Sequence, residues 1–303
     1  MGKTFSMLWE ADPDVTFGDV IVGWLAPLVI SFKRSYDEKS LAKLRSETKS
    51  LSKYNPAAWA VKKVEVSSVV VYIHSPLEGD APKVVCWIHG GGFTVGEAED
   101  GAGHELFVEL NKRGRVAWAS IEYRLAPEHP YPAAIDDAVV AMRWLQTQYA
   151  NVSLAGISAG ANIALATALA LDESPPSLAL LYPFLDPNMD SASYAKHGDR
   201  MNFAAYLAWC WDVYKAGDAL LQRPRADFER ALGATRVLVS TSRGDPLRDE
   251  GLSLVRLLEA SGVPDVVHVE GRGSHGLGHT VDPALRERLF EAWTALIDLI
   301  NND

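Results

Sequence analysis

The stretch Asn151-Val152-Ser153-Leu154-Ala155-Gly156-Ile157-Ser158-Ala159-Gly160-Ala161 decides the fold. Asn151 to Ala155 reads as a short buried strand, and Ala161 to Leu171, rich in Ala and Leu, reads as a helix. Gly156-x-Ser158-x-Gly160 between a strand and a helix has the form of a nucleophile elbow. Its turn is too tight for side chains at the two ends, which are therefore Gly. It lifts Ser158 Oγ clear of the sheet and sets the neighbouring N–H groups at a helix N-terminus, where negative charge is favoured. Chance gives roughly 0.1 such pentapeptides in a chain of this length, so the motif marks Ser158 as a candidate nucleophile.

Upstream, Val84-Val85-Cys86-Trp87-Ile88 is a continuous apolar strand, as expected where helices cover both faces of a sheet. It runs into His89-Gly90-Gly91-Gly92-Phe93. Three consecutive glycines let a backbone turn its N–H groups toward a ligand. Beside an elbow serine, this loop reads as an oxyanion hole, with donors at Gly91, Gly92 and Ala159. Earlier still, residues 1 to about 58 look helical, with Leu41, Leu44, Thr48 and Leu51 on one face and Asn55-Pro56 as a stop. Val64, Val66, Val69 and Val71 then mark two antiparallel strands up to Ser75-Pro76, followed by a turn at Glu78-Gly79-Asp80.

Between the glycine loop and the elbow lie a helical stretch from Glu105 to Asn111 and a strand from Val116 to Tyr123. The run Tyr123 to Pro132 carries three prolines and is expected to be an ordered, extended connection. A helix follows from Ala133 to Tyr149. Asp136 and Asp137 sit in its first turn, where carboxylates suit the dipole, and are read as structural.

Downstream, the strand Ser177 to Asp186 gives way to an interruption at 187 to about 226. It holds one aromatic-rich helix, Asn202 to Lys215, with Phe203, Tyr206, Leu207, Trp209, Cys210, Trp211 and Tyr214. Strands return at Arg236 to Ser240, ending in Gly244-Asp245-Pro246, and at Asp265 to Glu270. Between them lies a helix from Asp249 to Ser261, with Asp249 as its expected N-cap. A loop rich in Gly and His, 271 to 279, and a helix opening at Asp282-Pro283 complete the chain. Alternating strands and helices imply an α/β fold with a mostly parallel sheet. Its ligands bind at the C-terminal strand ends, which is where His89, Ser158, Asp245 and His275 all fall.

The chain has 303 residues, 48% of them hydrophobic, enough for one large core and a single domain over 1–303. Its net charge is −10 with no Lys/Arg block, which excludes nucleic acid as a partner. Cys86 and Cys210 are far apart and lack metal-ligand spacing, so both read as buried free thiols of a reducing compartment. The apolar run Val20 to Ile30 contains Pro27 and is too short to span a bilayer. Acidic residues precede it, unlike a signal peptide. It reads as a packed lid segment without stable membrane insertion, and the expected location is the cytoplasm.

His89 to Phe93, Tyr123 to Ala134, Gly156 to Gly160 and Asp245-Pro246-Leu247-Arg248-Asp249-Glu250-Gly251 together resemble the hormone-sensitive-lipase family of esterases. The likeness runs from about residue 61 to the C-terminus, and Met201 to Tyr214 resembles that family's cap helix. The resemblance implies an α/β-hydrolase fold with a helical cap built from about 1–55 and about 187–226. It also implies hydrolysis of carboxylic esters, on short- to medium-chain acyl groups, without cofactor or metal. Ser158, Asp245 and His275 follow in the family's order, with His275 thirty positions after Asp245 and before a Gly. His279 in the same loop is the rival base, Asp249, four residues after Asp245, is the rival acid, and His268 reads as structural. An apolar, small-molecule ester pocket is expected around Phe93, Trp24, Phe203, Leu207, Trp211 and Leu277.

Ile157, Ala161 and Leu277 differ from the family's usual residues, and the loop before His275 is one residue longer. No catalytic group is lost, so these departures bear on substrate. Other reactions of the same triad (amide, lactone or formamide hydrolysis), a catalytically silent ligand receptor, and a homodimer all stay open from sequence.

Overall fold

The computed structural model describes residues 41–46, 55–78, 81, 83–99, 101–113, 116–198, 203–216, 220–275 and 283–298. Among the described residues, eight strands form one sheet: β1 (Trp59–Val66), β2 (Val69–Pro76), β3 (Lys83–Ile88), β4 (Val116–Glu122), β5 (Val152–Ile157), β6 (Ser177–Leu181), β7 (Arg236–Ser242) and β8 (Asp265–Gly271). Their spatial order is β1-β2-β4-β3-β5-β6-β7-β8. The β1–β2 and β2–β4 pairs are antiparallel, and every pairing from β4–β3 to β7–β8 is parallel. This is the α/β-hydrolase fold that the motifs imply.

Alternation along β3 explains why its sequence is apolar throughout. Val84, Cys86 and Ile88 enter one core layer, while Val85 and Trp87 enter the other. The second layer is closed by α1 (Gly101–Asn111) and by the C-terminal helix Pro283–Asp298. There Trp87 meets Phe107 edge-on at 5.7 Å and lies 6.5 Å from Trp293. The first layer is closed by α2 (Ala133–Gln148), α3 (Ala159–Ala170) and the helix Arg248–Ala260. α3 is buried from Ala159 to Leu169, which suits a helix that is apolar on every side.

The interruption after β6 holds more than the single expected helix. It contains α4 (Ala192–His197), α5 (Phe203–Tyr214) and the start of α6 (Arg225–Leu232), which returns Phe228 and Leu232 to the main core. The helices Arg248–Ala260 and Pro283–Asp298 are α7 and α8. The connection from Tyr123 to Pro132 is folded into turns, not extended. His129 N–H bonds to Leu125 O at 2.9 Å, and Ala133 N–H bonds to Pro130 O at 3.0 Å. Arg124 of this connection grips Asp137 through its main-chain N–H at 2.9 Å and its guanidinium at 2.8 Å, which gives that carboxylate its structural role.

Candidate active site

The elbow glycines are fixed by backbone crowding. A Cβ on Gly156 would lie 2.3 Å from Gly160 O, and one on Gly160 would lie 2.2 Å from Ile88 O. Between them Ser158 adopts φ 56° and ψ −121°, a conformation that persists only when its surroundings hold it. Its N–H donates to Leu181 O at 2.8 Å, and its carbonyl accepts from Ala161, Asn162 and Phe184 N–H at 3.0–3.3 Å. Local sequence thus strains the turn, and the β6 end clamps it.

The sheet edge brings the three sequence candidates together. Ser158 follows β5, Asp245 follows β7 and His275 follows β8. His275 Nε2 lies 2.9 Å from Ser158 Oγ, and His275 Nδ1 lies 2.9 Å from Asp245 Oδ2. Asp245 is 1% exposed, and its other oxygen accepts Leu247 N–H at 2.8 Å. His268 is engaged elsewhere, 2.8 Å from Thr241 Oγ1. Asp249 is not a cap of α7, whose N-cap is Leu247. Its carboxylate instead accepts Ser193 N–H at 2.9 Å, at the start of α4.

The glycine loop lies beside the elbow, and a Cβ on Gly90 would stand 3.3 Å from Ser158 Cβ. Gly91 and Gly92 have φ +119° and +59°, so the loop needs residues without side chains at both. The N–H groups of Gly91, Gly92 and Ala159 enter no backbone hydrogen bond among the described residues. His89 is stacked on Tyr123 at 4.2 Å, and burial lowers its pKa to about 4. It is a neutral support for the loop, and Tyr123 OH donates to its carbonyl at 3.0 Å.

Phe93 stacks on Tyr214 at 3.8 Å, and Trp211 lies 4.5 Å from Phe184. Phe93, Leu207 and Trp211 are all buried in the main core. Trp24, Leu277 and His279, the run Val20 to Ile30, Gly79, Asp80 and Asp282 lie outside the described residues, as does the side chain of Phe203. Cys86 and Cys210 are buried free thiols, both pushed up to about 12 by burial. Among the described residues there is no group of three or more His, Cys, Asp or Glu side chains placed to hold a metal, and no helix long and apolar enough to cross a membrane.

Sequence places Glu250 within the motif Asp245 to Gly251 but gives it no role of its own. Its carboxylate accepts the N–H groups of Leu185 and, at 2.9 Å, Asp186, so it ties α7 to the loop behind the elbow. Burial pushes its pKa up from 4.5 to about 8. The folded protein therefore holds a proton there that the unfolded chain releases, and that stabilisation is complete below 4.5 and lost as pH rises to about 8. Thermal unfolding of Glu250→Gln, followed across this window, should fall less with rising pH than the wild type does. Parallel curves for the two proteins would show that Glu250 does not carry this dependence.

The family described as alpha/beta hydrolase fold matches residues 85–279. Carboxylesterase NlhH of Mycobacterium tuberculosis is 33% identical over 223 residues, covering 66% of this chain and 68% of that protein. Esterase LipI of the same organism is 33% identical over 240 residues, covering 73% and 74%. The crystal structure of a thermostable esterase from Pseudomonas putida ECU1011 superposes with a TM-score of 0.77 at 24% identity, over 94% of this chain and 98% of that one. At that identity the superposition speaks for the fold alone, whereas the family match spans well over half of the chain. With the elbow, the glycine loop and the ordered Ser, Asp and His already in view, the chain belongs to the hormone-sensitive-lipase-like family of α/β-hydrolase-fold esterases.

Proposed function

We propose that the protein hydrolyses carboxylic esters through Ser158, His275 and Asp245. The observation that carries this reading is the unbroken chain Ser158 Oγ–His275 Nε2 and His275 Nδ1–Asp245 Oδ2, both 2.9 Å. Ser158 Oγ attacks the acyl carbonyl as His275 Nε2 takes its proton. The carbonyl oxygen becomes an oxyanion facing the N–H groups of Gly91, Gly92 and Ala159. Asp245 holds the imidazole in the required tautomer and stabilises its charge. His275 then hands the proton to the leaving alcohol, and water repeats the sequence on the acyl-enzyme.

Short- to medium-chain acyl groups are the substrates this reading favours, because Phe93, Phe184, Trp211 and Tyr214 pack on one another and Phe184 N–H bonds to Ser158 O, which brings bulky rings close to the elbow. A cap fits the same picture. The helical turn at 41–46 packs Leu41 and Leu44 on Val95, Tyr206 and Trp209, beside the glycine loop. Arg45 Nε donates to Thr94 O at 2.9 Å, and its guanidinium pairs with Glu128 at 2.7 Å. A panel of p-nitrophenyl acetate, butyrate, octanoate and palmitate, with an anilide and a lactone added, tests the reading. We expect the highest kcat/KM on acetate or butyrate, with each methylene that the pocket cannot hold costing about tenfold or more. A preference for the palmitate, the anilide or the lactone would overturn it.

A further inference from the structure

We propose that Tyr206, on the aromatic helix α5, is a positioning residue for the oxyanion hole, acting through the Gly91–Gly92 peptide. The inference rests on the reading of Gly92 N–H as an oxyanion donor. A peptide unit is planar and trans, so its C=O and N–H point in opposite directions. Whatever fixes the Gly91 carbonyl therefore aims the Gly92 N–H. That carbonyl accepts Thr94 N–H and Val95 N–H, both at 3.1 Å, which are contacts within the loop itself and move with it. Tyr206 OH donates to the same oxygen at 3.2 Å from 115 residues away in sequence, and so ties the loop to a separate element.

Three features make that tie matter. Gly91 and Gly92 both have positive φ and no side chain, so the peptide between them has little intrinsic stiffness. Helix α5 presses directly on it: a Cβ on Gly92 would lie 2.4 Å from Cys210 Sγ, one turn along from Tyr206. The Tyr206 hydroxyl also lies 3.3 Å from Thr94 Oγ1, which itself reaches Gly91 O at 3.3 Å. Donation to a carbonyl polarises the whole peptide, so the opposing N–H becomes a stronger donor as well as a better aimed one. Seating of α5 and strength of the oxyanion hole are then one event.

Tyr206→Phe removes the hydroxyl and keeps the ring against Trp209. Removing a whole oxyanion donor costs about 10²- to 10³-fold, so loosening one should lower kcat about tenfold. Active sites are counted with a fluorophosphonate, which removes any loss due to misfolded protein. KM for p-nitrophenyl butyrate should stay near the wild-type value. Affinity for a trifluoromethyl ketone, which forms a tetrahedral oxyanion on the serine, should fall by the same factor as kcat/KM. A Tyr206 that only supports the fold would lower the melting temperature and leave kcat per active site and ketone affinity unchanged, which overturns the proposal. A change confined to KM overturns it too. If Ser158→Ala keeps wild-type turnover, the underlying reading fails first. If Ser158→Ala is dead and Tyr206→Phe is not slowed, only the role of Tyr206 fails.

Discussion

Ser158→Ala is expected to lower kcat on short-chain esters by about 10⁶-fold while leaving the melting temperature close to that of the wild type. The chemical loss follows from the site: without Oγ there is no atom to form the acyl-enzyme, and His275 Nε2 has no proton to take. A residual rate about 10³- to 10⁴-fold above water should survive, because the N–H donors and the pocket still bind the transition state. The fold should hold for a separate reason. The turn at Ser158 is held by main-chain bonds to Leu181, Ala161, Asn162 and Phe184, and Ala keeps all of them. Ala also carries a Cβ, so the strain at φ 56° is unchanged. A fluorophosphonate should label Ser158 in the wild type and no serine in the variant. Wild-type turnover in Ser158→Ala would end the hydrolase mechanism proposed for this site.

The elements that carry this site were legible because burial writes itself into sequence. β3 and β5 are covered on both faces, so Val84 to Ile88 and Val152 to Ile157 show unbroken apolar or small-residue runs. The elbow was legible because crowding leaves only Gly possible at 156 and 160. What escaped depends on contacts between distant segments, which leave no period in either partner. Glu250 reads as one more acid in a helical first turn, yet it serves a loop 65 residues earlier. Asp249 looked like a cap for its own helix and instead binds the start of α4. Tyr206 sits in an aromatic run that also holds Tyr214, and only the contact of its hydroxyl with Gly91 O, 115 residues earlier, distinguishes it. The prolines of 127–132 predicted extension, but bonds from Arg124 to Asp137 and the local turns fold that segment back.

His275→Ala should lose about as much as Ser158→Ala, on the order of 10⁶-fold in kcat. Of the His residues after the last strand begins, His268 is committed to Thr241. His275 has one ring nitrogen on Asp245 and the other on Ser158, each at 2.9 Å, so a single imidazole links the carboxylate and the serine hydroxyl. Two measurements separate loss of a base from general damage. The first is pH. A general base must have a free lone pair for the serine proton, so kcat/KM of the wild type should fall on the acid side. The residual activity of His275→Ala should lack that limb. The second is additivity. In the proposed mechanism Ser158 and His275 act as one unit, so Ser158→Ala/His275→Ala should be no slower than either single variant. If the losses instead multiplied, the two residues would act in separate steps. If His279→Ala were the dead variant and His275→Ala active, the base would be His279 and the loop would close on Asp245 in another register.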